Sequence, residues 1–259
     1  MEINDWLVAL PWWLPPLLAL SLGLVALAPL GEQVLRRGVV FIDLAVAQAA
    51  AAAALWWIWW QDHPEAWSVR GAALAGALAA VVWVQHLARR HPAHREALIG
   101  LVYVLGAGLA VLGASQDAHG REHLSELLAA DVLWAGWPQV GLMAALAALG
   151  QVWQHVTTRW QVDSQWGDWA FYGWFAVAAS VAVGVLGLWL VFAGLIVPAW
   201  LGLQGWSRMR RAVFVLLACA GGLAVSSTLD WPSGACVIVA LAGLGLVAPS
   251  ANARRSDAQ

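Results

Sequence analysis

Lysine is absent from this chain: all thirteen Lys+Arg positions are arginine. Without lysine there is no glycine-rich phosphate loop ending in Lys-Ser/Thr, so the chain cannot itself be an ATPase of that kind. Charge of either sign is scarce, at 11% of residues against 62% hydrophobic, where a soluble domain carries about 25% charged. A soluble globule is excluded. The thirteen basic and fifteen acidic residues leave a net charge of −2, so no basic stripe exists to recruit nucleic acid. The two cysteines, Cys219 and Cys236, stand singly in apolar stretches, which excludes a disulfide framework or a thiolate metal site and leaves them as small hydrophobes. No soluble-enzyme nucleophile constellation, internal repeat or long linker is visible.

What is present is hydrocarbon-spanning sequence. A span needs roughly 20 apolar residues, so 259 residues hold about eight or nine spans and one transmembrane domain over 1–259, an all-α integral membrane protein. The candidate spans are 12–30, 38–60, 70–88, 97–115, 139–156, 169–190, a short 191–206, 212–229 and 233–249. Arginine in short loops stays cytoplasmic. Starting outside puts eleven arginines inside and only Arg70 and Arg121 outside, which predicts an outer N-terminus and a cytoplasmic C-terminus. That needs an odd number of crossings, so 169–206 crosses twice with a helix break near Gly194 and Pro198, proline having no N–H to donate. Glu2 and Asp5 precede the first apolar run, and without a basic start that run is expected to stay as a span. Of twenty tryptophans, Trp12, Trp13, Trp56, Trp57, Trp59, Trp60, Trp67, Trp134, Trp137 and Trp231 fall near the outer interface, as an aromatic belt does. Ala49 to Ala54 and Gly184, Gly187 and Gly194 supply small side chains that let helices pack closely in lipid.

Ionisable groups inside a span are expensive and mark either a pathway or a paired contact. Asp43 is the main case, five residues into the second span; it fits an ion pathway facing a dimer's central path or a neutral structural carboxyl. Gln48, five residues on, points some 140° away on a regular helix at about 100° per residue and fits a helix-linking amide or a weaker pathway contact. His119, His123 and Glu126 are spaced for one face of an outer helix, where imidazole and carboxylate suit zinc or manganese; an ordinary polar loop fits the same residues. His86, His91 and His94 lie among Arg89, Arg90 and Arg95, whose charge repels a cation, so they read as a solvated turn.

Three segments together resemble the membrane permease subunit of zinc and manganese (transition-metal) ABC importers. The first is Leu30-Gly31-Glu32-Gln33-Val34-Leu35-Arg36-Arg37 leading into Phe41-Ile42-Asp43-Leu44-Ala45-Val46-Ala47-Gln48. The second is Gly184-Val185-Leu186-Gly187-Leu188-Trp189-Leu190 running to Leu195-Ile196-Val197-Pro198-Ala199, and the third is Leu229-Asp230-Trp231-Pro232-Ser233-Gly234-Ala235. Glu96-Ala97-Leu98-Ile99-Gly100 and Leu128-Ala129-Ala130-Asp131-Val132-Leu133 fit more loosely. Two features depart from that family: its Asp and His four apart on the second helix are here Asp43 and Gln48, and the loop before the sixth span is the tryptophan-rich 158–168.

The resemblance implies a multi-pass subunit of the bacterial inner membrane that carries a divalent metal ion and holds no cofactor of its own. It implies a second copy of the chain, a separate ATP-binding subunit that hydrolyses ATP, an extracytoplasmic metal-binding protein and surrounding lipid as partners. It also implies that the loop containing Arg159, Asp163 and Asp168 contacts the ATPase. Two other readings stay open: a haem-handling membrane protein, suggested by Trp166-Gly167-Asp168-Trp169 and Trp174 with His86 or His155 as axial ligands, and a degenerate, non-transporting membrane scaffold.

Overall fold

In the computed structural model, which describes residues 11–61, 64–90, 94–116, 119–128, 130, 132–159 and 164–248, the described residues form ten α-helices and no strand. Helix α1, Leu14–Arg37, opens with proline in its first turn, where the unpaired N–H groups make proline harmless. It ends on Gly38, whose left-handed φ of 63° lets its N–H reach the carbonyls of the last turn beside Arg36 and Arg37. There follow α2 Ile42–Trp60, α3 Ala66–Arg90, α4 Arg95–Ala114, a short α5 Gly120–Leu128, a 3-10 turn Val132–Trp134, α6 Trp137–Arg159, α7 Ser164–Leu186, α8 Leu188–Leu203, α9 Arg208–Leu229 and α10 Ser233–Val247. Six of these are long and apolar enough to cross a membrane, and α8 and α10 are shorter apolar helices. The protein is a multi-pass, all-α membrane protein.

The helices form two groups. α2 packs on α3 and α4, while α1 is surrounded by α6, α8 and α9, with α7 touching both groups. The alanine run makes the first group close-packed: a Cβ on Gly76 of α3 would lie 2.6 Å from the Ala49 carbonyl oxygen, and one on Gly106 of α4 would lie 3.1 Å from the Ala49 nitrogen. Both neighbours thus meet α2 at Ala49, as small residues permit. In the second group Gly31 of α1 meets the backbone of α8, where a Cβ would sit 1.9 Å from the Leu195 carbonyl oxygen.

The arginine-bearing ends come together. Arg37 ends α1 and pairs with Asp168 near the start of α7; Arg89 ends α3 and lies 5.1 Å over the Trp169 ring; Arg95 begins α4 and donates to the Arg37 carbonyl at 3.1 Å; Arg211 begins α9 and pairs with Glu32. Exposed Trp12, Trp59, Trp60, Trp67, Trp134 and Trp231 mark the opposite helix ends, as the aromatic belt predicts.

The helix break is not where proline suggests it. α8 runs unbroken through Gly194 and Pro198, and the break is Gly187, φ 78° and ψ 158°. α7 runs from Asp168, beside Arg37, to Leu186, beside Gly23, whereas residues 194 to 202 of α8 follow α1 from Leu24 to Glu32. The chain therefore reverses at Gly187, beside the middle of α1. Gly194 serves packing instead, since its Cβ would lie 2.2 Å from Leu24 Cδ2. Pro198 is accommodated within α8, with its carbonyl taking a hydrogen bond from Arg211 Nη1 at 3.1 Å.

Candidate functional site

Phe41, at the N-cap of α2, gives no side-chain cap, and an acidic residue in the first turn complements the positive helix end. Asp43 fills that place. It sits in the first turn of α2 rather than five residues into a span, because the helix begins at Ile42. The chain itself encloses it at 1% exposure, so Asp43 does not lie on a surface that a second copy would cover. Neither carboxylate oxygen makes a hydrogen bond of good geometry among the described residues; the donors that act on it are the backbone N–H groups of its own residue and of Leu44 in the first turn. A buried carboxylate left unpaired is costly.

A second orphan stands at the same depth. Gln85 of α3 is 2% exposed, and neither its amide nitrogen nor its amide oxygen has a partner. α3 returns antiparallel to α2, with Gly76 against Ala49 and Ala53. Nine residues on from Gly76 is Gln85, and the same distance back from the middle of that pair falls next to Asp43. The register therefore brings a carboxylate and an amide, two oxygen-bearing groups, to one level in the interior.

Below them lies the end of the bundle that binds α1, α2, α4 and α7 together. Glu96 Oε1 accepts the Val40 N–H at 2.9 Å, while its Oε2 is buried without a partner. Arg37, besides pairing with Asp168, stacks 4.3 Å over the Phe171 ring. Two charges and two backbone groups thus fix the turn that starts the helix of Asp43.

Gln48 is buried at the α2–α4 crossing, where a Cβ on Gly106 would come within 3.1 Å of its own Cβ. The helix register sets Gln85, a residue not singled out from sequence, at the level of Asp43, whereas Gln48 lies more than a turn further along α2. The signal was an amide inside the apolar run Val81-Val82-Trp83-Val84-Gln85, but only the helix register relates it to Asp43.

The outer residues are less assembled. His119 is exposed just before α5; the side chains of His123 and Glu126 lie outside the described residues, and no group of three metal-capable side chains occurs among the described ones. Gly120 is needed at its position, since a Cβ there would lie 2.2 Å from the Ala114 carbonyl oxygen. Asp163 and the Arg159 side chain also lie outside the described residues. Asp168 belongs to α7 rather than to a loop. Trp174 stacks on Trp153 at 6.1 Å and Trp169 lies under Arg89, so both are engaged in packing.

Residues 162–251 match the ABC 3 transport family. The match covers α7 to α10, including two of the three segments whose sequence resembles metal-importer permeases. Over the whole chain the fold is similar to "PsaBC from Streptococcus pneumoniae in complex with Fab", with a TM-score of 0.73 and 15% identity over 98% of each chain. At that identity the likeness establishes the fold alone. Comparison with curated protein sequences gives no match. Asp43, Gln48 and Gln85 all lie outside the ABC 3 segment.

Proposed function

We propose that this chain is the membrane permease subunit of an ABC-type importer for a divalent transition metal ion: zinc, manganese or iron. It works as a homodimer in the bacterial inner membrane with its arginine-rich end in the cytoplasm, where short arginine-bearing loops are retained. An extracytoplasmic protein delivers the ion, and a partner subunit hydrolyses ATP. The observation that carries this reading is the ABC 3 match over 162–251, supported by the fold likeness over the whole chain and by the unpaired buried carboxylate of Asp43.

In this reading Asp43 and Gln85 hold the ion in passage. A hard or borderline cation leaving water needs oxygen or nitrogen ligands in exchange, and one carboxylate with one amide supplies them without a closed, tight cage. Because Asp43 is shut in by its own chain, the present arrangement is closed, and passage requires α2 to part from a neighbour. The Arg37–Asp168 pair joins the segment that follows the ATPase-facing loop to the turn before Asp43, so movement of that loop reaches the site through one turn of chain.

The test is co-purification with the subunits encoded beside it, followed by uptake of zinc, manganese and iron into vesicles under ATP. The expected result is uptake of at least one ion, lost with Asp43→Asn although insertion is unchanged. A chain that recruits no ATP-binding subunit and carries no ion overturns the reading.

A further inference from the structure

A cleft opens between α1, α6, α8 and α9, away from Asp43. Its volume is about 210 Å³, below the roughly 300–1,000 Å³ of sites that enclose a whole small molecule, so it seats part of a ligand whose remainder lies along the protein surface. One wall is apolar, formed by Val25, Ala28 and Pro29 of α1, and the opposite end carries Glu32, Arg208 and Arg211. Pro29 lies inside α1 and has no N–H for the Val25 carbonyl, so that acceptor in the cleft wall lacks its helical partner. Arg211 spends one nitrogen on Glu32 and the Pro198 carbonyl, while its Nε is buried without a partner. Glu32 offsets one of the two lining arginines. A net positive charge remains, reinforced by exposed Arg210 next door.

We propose that this cleft is a binding site for one anionic phospholipid of the leaflet on the arginine-rich side. The shape and charge select that occupant. An acyl chain lies along the exposed strip of α1 around Val25, and the phosphate meets Arg208 and the cleft-lining edge of Arg211 at the N-terminus of α9. Basic pockets between transmembrane helices on the cytoplasmic side hold anionic headgroups in this way. A zwitterionic headgroup places a cation among the arginines and is disfavoured.

The proposal is independent of whether the protein carries a metal. The purified full chain in detergent is titrated with phosphatidylglycerol or phosphatidylcholine and read by native mass spectrometry, with inorganic phosphate as competitor. One retained phosphatidylglycerol is expected, with retention lowered about fivefold by Arg208→Gln, at least as much by the cleft-filling Ala28→Phe, and less than about twofold by Arg210→Gln. Equal retention of phosphatidylcholine, unchanged retention in Arg208→Gln, or displacement of the lipid by millimolar phosphate overturns the proposal, the last by making the site one for a free anion. Loss of dimer in place of lipid in Ala28→Phe overturns it too, by assigning the cleft to a second copy. Should Ala28→Phe fail to fold, Arg208→Gln, an exposed position, decides alone.

Discussion

The two helix groups solve the same packing problem and differ in how far they pair their buried polar groups. Around α1 the close contacts are glycine against leucine and backbone, and the buried charge has a counter-charge: Arg211 meets Glu32 and the Pro198 carbonyl, with only its Nε left without a partner. Around α2 alanines bring the backbones together, yet both oxygens of Asp43, both amide atoms of Gln85 and Glu96 Oε2 are buried without partners. Unpaired buried polar groups cost stability, and a fold keeps them where something else is gained. The α1 group reads as scaffold and the α2 group as the working part. The ABC 3 match takes in α8, α9 and α10 together with α7, which touches both groups, and leaves α1 and α6 outside.

The sharpest way to break the scaffold is at Gly31. A Cβ there lies 1.9 Å from the Leu195 carbonyl oxygen, and backbone cannot rotate away as a side chain can. Gly31→Ala should lower stability by about 3 kcal/mol or more, read from thermal unfolding in detergent. Gly76→Ala should cost less, because its nearest neighbours, the Ala49 carbonyl oxygen and the Ala53 Cβ, stand 2.6 Å away against 1.9 Å at Gly31. Gly100→Ala, with nothing within 4 Å, should stabilise by about 0.5–1 kcal/mol through helix propensity. Equal losses at Gly31 and Gly100 would remove the close approach of α1 and α8 from the account.

The next effect belongs to the α2 group. Asp43→Asn keeps the shape and removes the charge, so metal uptake should fall by at least about tenfold while expression and insertion hold; a charge at this position is costly to keep unless it serves passage. Uptake unaltered in Asp43→Asn would return Asp43 to a structural role and favour the non-transporting scaffold.

Much of the architecture was legible in sequence, and the reason is lipid. Hydropathy placed nine spans, and each has its helix, because a membrane leaves no other way to satisfy a backbone. The break after α7 was misread, since proline is the louder breaker in sequence, while Gly187 is distinguished from Gly184 and Gly194 only by the positive φ of a chain reversal. Asp43 was legible as an isolated acid in an apolar stretch. Its enclosure, its shallow position on α2 and its company were not, because they depend on where Gly76 meets Ala49, a tertiary register that no local pattern carries.

A smaller effect joins the two groups at Arg37 and Asp168. Their side chains are 29% and 45% exposed, so the pair is worth at most about 1 kcal/mol of stability after screening. Its larger expected consequence is in coupling. Asp168→Asn should reduce the uptake obtained per ATP hydrolysed while the protein stays folded, and the swap Arg37→Asp with Asp168→Arg should recover part of it. Full coupling in Asp168→Asn would show that the turn before Asp43 is held by Arg95 and Glu96 without α7.

The smallest expected change in stability is at Gln85, and it discriminates best between a packing amide and a working one. Leucine has nearly the same volume and no polar atoms, and replacing an unsatisfied buried amide by an apolar group removes a desolvation cost of roughly 1–3 kcal/mol. Part of that gain is lost to imperfect packing. Gln85→Leu should therefore leave stability unchanged or raise it by about 1 kcal/mol, whereas a hydrogen-bonded structural amide would lose stability on the same change. If Gln85 also supplies an oxygen to the ion beside Asp43, uptake falls in this more stable protein, and the opposite signs separate function from folding. A stabilised Gln85→Leu protein with full uptake would leave Asp43 as the sole polar contact of the path, and a destabilised one would mean that the Gln85 amide is paired within the membrane after all.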